Sequence, residues 1–162
     1  MTGPSVFDEL MGELDYPMFI VTAAAGGEPA GCLVGFATQT SIHPSRFLVC
    51  LSRRNHTTRV AAQAERLAVH FVPDSAVELA ELFGGTTGDD ADKFARTAWH
   101  PGPGDVPLLD ACENWFAGRI LVRLDLGDHI GHLLEPEACR HGATGPEFTF
   151  HRARHIHPGH EA

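Results

Sequence analysis

The stretch from Gly31 to Thr58 restricts the fold of this chain more than any other. It contains an apolar strand, a bend of small and polar residues, a second apolar strand, and a basic, hydroxyl-rich turn that opens a helix. Arginines, hydroxyls and backbone N–H groups at the start of a helix favour an anion. The pattern therefore predicts an apolar pocket beside an anion-binding turn, which suits a nucleotide-like cofactor with a flat ring.

Short strands dominate the rest of the sequence. Apolar runs bounded by Gly and Pro predict strands at 18–25, 30–38, 46–51, 67–72, 115–125, 129–135 and 148–152. The first two are expected to form a hairpin with a loop slightly longer than two residues. Helices are expected at 5–14, 57–64 and 75–83, and an irregular segment at 99–106. Since the sequence lacks a βαβ alternation and a GxGxxG motif, it favours a mainly β barrel with a few peripheral helices over a Rossmann fold.

Composition limits the classes of function. The 162 residues suit one domain, 1–162, with a leading helix within 1–15 and a polar tail at 156–162. Twelve Lys and Arg against 21 Asp and Glu give a net charge of -9, which disfavours nucleic-acid binding. No apolar run approaches the roughly 20 residues of a membrane span, and the acidic N-terminus lacks a signal-peptide core. Four scattered cysteines indicate reduced thiols in a cytoplasmic protein, although their even number leaves disulfides open.

Four further motifs follow in order: Asp92-Lys93-Phe94, Pro107-Leu108-Leu109-Asp110, Gly127-Asp128-His129, and Phe150-His151-Arg152-Ala153-Arg154. With the first stretch they extend from Tyr16 to His155, and their order and spacing resemble the flavin reductase-like family of FMN-binding split barrels. The resemblance implies a split β-barrel that binds FMN. It also implies a homodimer, because the flavin site of the family lies at the subunit interface.

The resemblance implies a set of flavin-binding residues as well. Backbone N–H groups of the bend would lie along the pyrimidine edge and ribityl chain of the flavin, at Gly35, Phe36, Ala37, Thr38 and Ser41. The FMN phosphate would be held by Ser52, Asn55, His56 and Thr57, with charge added by Arg53 or Arg54. Residues flanking the ring or phosphate would be Phe83, Lys93 and Phe94, and those near the flavin or dimer contact His151 and Arg152. The alternatives are a plain strand end, ordinary helix caps and core packing.

His129, in the Gly-Asp-His motif, matches the family histidine near the site where NAD(P)H stacks on the flavin. Hydride passes directly between the two rings, so the protein must align them at about 3–3.5 Å rather than supply a strong acid or base. His129 would bond the nicotinamide amide or pass a proton to reduced flavin. The alternative is a structural histidine in a turn.

The eleven histidines raise the question of a metal site. Several of them cluster near the chain end, at His151, His155, His157 and His160. A zinc site needs three or four ligands on a fixed scaffold, and the sequence carries no HExxH motif. No metal is therefore predicted.

The function predicted from the sequence is an NAD(P)H-dependent flavin reductase. It would transfer hydride to FMN or FAD, with NADH or NADPH as donor, and supply reduced flavin to a partner monooxygenase. One rival is an oxidoreductase that keeps FMN tightly bound, or uses a deazaflavin, and reduces another acceptor. The other rival is a non-catalytic barrel that binds FMN or haem.

Overall fold

The computed structural model describes residues 3–85 and 92–157. Within these ranges the strands are β1 (Phe19–Ala25), β2 (Glu28–Val34), β3 (Ala37–Ser41), β4 (Arg46–Ser52), β5 (Arg66–Phe71), β6 (Trp99–Pro101), β7 (Pro107–Leu109), β8 (Asn114–Asp125) and β9 (His129–His141). The helices are α1 (Pro4–Glu13), α2 (His56–Ala61), α3 (Val77–Gly85) and α4 (Phe150–Ala153). Of these helices, none has both the length and the apolar character needed to cross a bilayer.

Seven strands form one antiparallel sheet in the order β2-β1-β5-β8-β9-β4-β3. β2 and β3 lie at its opposite edges, yet in the chain only Gly35 and Phe36 separate them. In a flat sheet, six strand spacings would hold these edges about 29 Å apart. Three residue steps span at most about 11 Å. The sheet must therefore curl until its edges meet, which makes a barrel whose seam lies at Gly35 and Phe36. The mainly β fold with few peripheral helices is confirmed.

Alternate side chains of β1 divide between two hydrophobic cores. Phe19 and Val21 point into the barrel and pack with buried residues of β2, β4 and β5. Ile20 faces the other way and joins a second core, which holds Phe83 of α3 and Phe148 near the chain end. Burying each large apolar side chain contributes roughly 1.5–3 kcal/mol. This second core fixes α3 against the outside of β2, next to the seam.

The predicted strands differ from the structure mainly at turns. Gly26 and Gly27 form a two-residue hairpin loop with φ of 58° and 78°, so the loop is shorter than predicted. Glycine adopts such angles without steric cost, and the pair therefore sets the register of β1 against β2. The strand predicted at 30–38 is divided into β2 and β3, because at the seam the chain passes from one sheet edge to the other.

The strand predicted at 148–152 is wrong. Its last residues form the helical turn α4, and Phe148 bonds through its backbone to Val72 and Met18 without belonging to a strand. The segment predicted to be irregular contains β6, which pairs with β7. In the predicted polar tail, Ile156 packs against the second core, and residues 158–162 lie outside the described part of the chain.

The leading helix is confirmed, but α1 buries none of its residues. Its apolar stripe is solvent-exposed, with accessible fractions of 59% at Phe7, 54% at Leu10, 41% at Met11 and 50% at Leu14 just beyond the helix. The helix is preceded by Gly3 and begins with Pro4, whose missing N–H is not needed in the first turn. α1 therefore presents an apolar surface that the described residues of the chain leave uncovered.

Candidate functional site

A cavity of about 230 Å³ opens at the barrel seam. It is enclosed by the segment before β1, the end of β2, the bend, the end of β4, the end of α3 and the start of β9. The lining residues are Tyr16, Met18, Cys32, Leu33, Val34, Gly35, Phe36, Cys50, Leu51, Ser52, Asn55, Phe83, Gly84, His129 and Phe150. We call this space the seam cavity. Most of its lining is apolar or aromatic, and Ser52, Asn55 and His129 add polar groups.

Two glycines allow the walls of the seam cavity to pack closely. A Cβ atom on Gly35 would lie 2.9 Å from the ring of Tyr16 and 3.1 Å from the sulfur of Met18. A Cβ atom on Gly84 would lie 2.9 Å from a methyl group of Leu33. Any larger residue at either position would push these neighbours aside, so the shape of the cavity depends on both glycines.

His129 lies at the seam cavity because β9 begins where β4 ends. Its Cα pairs with that of Ser52 in the sheet register. Its Nδ1 lies 2.6 Å from a carboxylate oxygen of Asp128, which as an acceptor holds the ring proton on Nδ1. This hydrogen bond lowers the pKa of Asp128. The imidazole also lies 5.0 Å from the exposed ring of Phe36, measured between ring centroids. Strand register and Asp128 together orient the ring.

The predicted phosphate-binding turn satisfies much of its own hydrogen bonding. The side chain of Asn55 accepts from the backbone N–H of Thr57 at 2.9 Å and caps α2. Thr57 is 1% exposed, and the hydroxyl of Thr58 donates to the carbonyl of Ser52. The Ser52 hydroxyl accepts a long bond, 3.4 Å, from the N–H of Arg54. The role of helix cap, the alternative to phosphate binding, thus describes Asn55 and Thr57 well, while Ser52 and Asn55 both line the cavity.

Of the three basic side chains predicted at the phosphate, Arg53 and His56 point elsewhere. Arg53 pairs with Asp125 at 2.6 Å, and His56 pairs with Glu28 at 2.8 Å. Neither of them lines the seam cavity. Their role toward a cofactor stays a prediction, and its physical support is weaker than that of Ser52.

Lys93 and Phe94 lie on the far side of Phe83 from the seam cavity. Lys93 is 4% exposed, and its Nζ donates to the carbonyls of Gly31 at 3.0 Å and Phe83 at 3.2 Å. Burial lowers the pKa of the Lys93 amine. Phe94 packs edge-on against Phe83, which alone of the three lines the seam cavity. Lys93 therefore ties β2 to the end of α3, and a second cavity of about 240 Å³ lies beside it.

Several other predicted residues lie outside the seam cavity. Within β3 these are Ala37, Thr38 and Ser41, and near the chain end they are His151 and Arg152. Asp15 accepts from the backbone N–H of His151, and Arg152 pairs with Asp74. Gly35 and Phe36 do line the cavity, as predicted for the bend.

Sequence reasoning missed most of the aromatic and apolar lining residues, among them Tyr16, Met18 and Phe150. Tyr16 and Phe150 stack face to face with ring centroids 4.8 Å apart, and Met18 directly precedes β1. Phe150 directly precedes the predicted pair His151 and Arg152. The motif at 150–154 therefore did indicate the cavity, but the residue that lines it is Phe150 and not the predicted His151 or Arg152.

Histidines near the chain end do not gather into a metal site in the described residues. Within 3–85 and 92–157, no group of three His, Cys, Asp or Glu side chains is placed to hold an ion. His155 lies 3.7 Å from a carboxylate oxygen of Glu81, and His160 falls outside the described residues.

Comparison with known proteins decides the family. The model of the flavin reductase like domain matches residues 11–159, nearly the whole chain. The chain belongs to this family. Membership agrees with the predicted class of enzyme, a flavin oxidoreductase, and with the predicted flavin and nicotinamide cofactors.

Relatives of this flavin reductase-like chain include reductase components. It is 28% identical over 154 residues to the reductase component of 4-nitrophenol 4-monooxygenase/4-nitrocatechol 2-monooxygenase from Rhodococcus opacus, covering 93% of the chain and 79% of that protein. It is 28% identical over 125 residues to the FMN reductase (NADH) RutF of Methylorubrum extorquens, covering 77% of the chain. In that comparison the chain spans only 60% of the relative's length.

Solved structures confirm the fold. A flavin reductase domain protein from Arthrobacter sp. FB24 superposes with a TM-score of 0.83 at 24% identity, covering 91% of each chain. The NADH:FAD oxidoreductase SgcE6 of Streptomyces globisporus gives 0.84 at 19% identity, covering 93% of this chain and 91% of the other. At such identities the likeness establishes the split-barrel architecture alone.

Proposed function

We propose that this flavin reductase-like protein oxidises NADH or NADPH, reduces FMN or FAD, and supplies the reduced flavin to a partner monooxygenase. The observation that carries the proposal is the seam cavity, in which apolar walls adjoin Ser52 and His129. Relatives described as FMN reductase (NADH) and as reductase components of monooxygenases support it. The donor nucleotide, the preferred flavin and the partner are parts of this proposal.

The residues of the seam cavity fit a flavin. Leu33, Phe36 and Phe150 offer apolar surface for a flat ring, and Gly35 lets the backbone of the bend pack closely against Tyr16 and Met18. The Ser52 hydroxyl and the Asn55 amide are the polar groups available to the ribityl chain and phosphate. A bound flavin would supply the chemistry, acceptance of a hydride on its ring. The chain itself supplies alignment and exclusion of water.

His129 is assigned to the nicotinamide. Asp128 accepts the proton on Nδ1, so in the neutral form of the ring Nε2 is an acceptor, which suits the N–H of a carboxamide. Aligning the nicotinamide in this way reduces the entropic cost of hydride transfer. Phe36, in ring contact with His129, gives the same location an exposed apolar surface for an aromatic ring.

We also propose a homodimer. Phe7, Leu10, Met11 and Leu14 form a stripe on or beside α1 that contacts no core of its own protomer. Exposed apolar stripes of this kind mark interaction surfaces. Light scattering after size exclusion should give twice the chain mass of 17.5 kDa, and a monomer would refute the dimer.

All four cysteines are free thiols, which accords with the proposed cytoplasmic location.

The decisive assay measures nucleotide absorbance with and without free flavin. We expect the purified protein to oxidise NADH or NADPH at a rate that rises with added FMN or FAD. Oxidation that ignores free flavin would favour a tightly bound cofactor and another acceptor. A yellow protein without turnover would favour the binding-module rival, and a strong Soret band would favour haem.

A variant pair localises the chemistry. His129→Ala should slow nucleotide oxidation at least tenfold while FMN affinity stays within about twofold. His100→Ala is the matched control, because its Nδ1 also lies 2.6 Å from an aspartate oxygen, that of Asp110, outside the seam cavity. Loss of FMN affinity in His129→Ala would instead place this histidine against the flavin.

A further inference from the structure

Arg53 bonds to the turn that carries His129. Its guanidinium donates to the carbonyl of Gly127 at 2.6 Å and pairs with Asp125 at 2.6 Å. Its backbone N–H donates to the carbonyl of Asp128 at 2.9 Å. Asp125 in turn accepts from the N–H of Gly127 at 3.2 Å. Arg53 thus contacts three residues in or beside the turn between β8 and β9, namely Asp125, Gly127 and Asp128.

The contacts of Arg53 join two segments that are distant in the sequence and meet where β4 ends and β9 begins. Arg53 follows the last residue of β4, and its partners precede the first residue of β9. The backbone bond to Asp128 continues the register of Ser52 with His129 beyond the strand ends. The β8–β9 register ends at Asp125 and Ile130, and Leu126 donates to the carbonyl of His129. The guanidinium adds a bond to Gly127, which lies outside the paired residues and whose φ of 109° lends the backbone little stiffness.

An exposed ion pair of this kind contributes little to stability. The side chains of Arg53 and Asp125 are 44% and 78% exposed, and such pairs are screened by water and salt. Their geometry is nevertheless specific, because a planar guanidinium with two acceptors restricts direction as well as distance. Orientation of the turn, rather than folding energy, is therefore what Arg53 can supply.

We propose that Arg53 is a positioning residue for nicotinamide binding: it holds the Asp125–Asp128 turn so that His129 faces the seam cavity. The inference rests on the proposed function, and it replaces the phosphate contact predicted for this arginine. A guanidinium committed to Asp125 and Gly127 has lost the geometry for a bidentate phosphate contact at the cavity.

The kinetic test separates the nucleotide from the flavin. In the full-length protein, Arg53→Ala and Asp125→Ala should each raise the KM for the nucleotide about tenfold, with FMN affinity by fluorescence titration within about twofold. Arg53→Lys keeps the charge but lacks the planar guanidinium. Its KM for the nucleotide should lie between those of the wild type and Arg53→Ala. Arg119→Ala, which removes a comparably exposed guanidinium paired with Glu135 at 3.0 Å, is the charge-matched control and should change neither value.

A double-mutant cycle tests whether Arg53 acts through His129. If it does, Arg53→Ala combined with His129→Ala should be no slower than His129→Ala alone. Additive losses would overturn the inference. A rise in the FMN dissociation constant with an unchanged nucleotide KM would also overturn it and restore the phosphate role.

A spectroscopic readout keeps the inference testable without turnover. The Hε1–Cε1 cross-peak of His129, identified by its loss in His129→Ala, should shift in Arg53→Ala and Asp125→Ala and stay in place in Arg119→Ala. An unmoved cross-peak would refute the positioning role. If the wild-type protein oxidises no nucleotide, the proposed function fails, and this measurement still decides the role of Arg53.

Discussion

His70 gives this protein a predictable weakness toward acid. It lies in β5 with 0% exposure, its Nδ1 is 2.9 Å from the carbonyl oxygen of Ile20, and its Nε2 accepts from the N–H of Leu109 at 3.1 Å. A carbonyl only accepts and an amide N–H only donates, so the ring must be neutral with its proton on Nδ1. Protonation of Nε2 would oppose two N–H groups in a fully buried site. Burial accordingly lowers the pKa of His70 to about 4.

The direction and size of the effect follow from this pKa. Unfolded His70 takes up a proton near pH 6.5, whereas folded His70 resists until about pH 4. Between these values the unfolded chain binds more protons, so the free energy of unfolding falls as the pH falls. At 1.36 kcal/mol per pH unit, the complete loss is about 3 kcal/mol, reached near pH 4. The contribution of neutral His70 to the free energy of unfolding is fully present above about pH 6.5.

Urea unfolding across this range measures the effect. Carboxylates also titrate there, so the informative quantity is a difference between variants. His70→Gln supplies a donor and an acceptor that do not titrate, and it should lose about 2–3 kcal/mol less than wild type between about pH 7 and pH 4.5. His100→Gln, an exposed-site control, should follow the wild type. Equal losses in His70→Gln and wild type would refute the assignment of the acid sensitivity to His70.

Three further predictions test the site and its supports. Ser52→Ala should weaken FMN binding several-fold, since a hydrogen bond to a charged phosphate contributes about 1.5–3 kcal/mol. Thr57→Ala, at a buried position, should instead lower the thermal midpoint and leave FMN affinity unchanged. The reverse result would return the phosphate contact to Thr57. Lys93→Met should cost about 2–4 kcal/mol in denaturant unfolding, because two buried carbonyls lose their donor, and a neutral result would show that water replaces the amine. Arg123→Ala should cost about 1–2 kcal/mol, since its guanidinium caps the carbonyls that end α2, and an unchanged midpoint would contradict that cap.

The parts of the fold predicted from sequence were those set by local pattern. β1, β4 and β8 occur where apolar runs and flanking turn residues indicate them, and the order of the motifs identified the family. The seam was not predictable in this way, because a bend of small residues from Gly35 does not reveal that two distant sheet edges meet there. The division into β2 and β3 follows from the meeting of two distant sheet edges at Gly35, which only the closed barrel brings about.

The lining of the site shows the same limit. His129, Phe83 and Ser52 reach the seam cavity as their motifs suggested, although the motifs lie far apart in the chain. Tyr16 and Phe150 reach it because α4 replaces a predicted strand and turns the Phe150 ring onto Tyr16. A helical turn of four residues has too little periodicity to be told from a short strand by its sequence.

Net charge explains why the cations of the predicted anion site point elsewhere. Asp and Glu number 21 against 12 Lys and Arg, so carboxylates outnumber the side chains that compete for them. Arg53 finds Asp125, which lies 72 positions further along the chain, and His56 finds Glu28. The sequence could not reveal these pairings, because the partners are adjacent only in the folded barrel. In such a chain, neutral donors like the Ser52 hydroxyl are better placed to hold a phosphate, because no carboxylate competes for them as strongly as for a guanidinium.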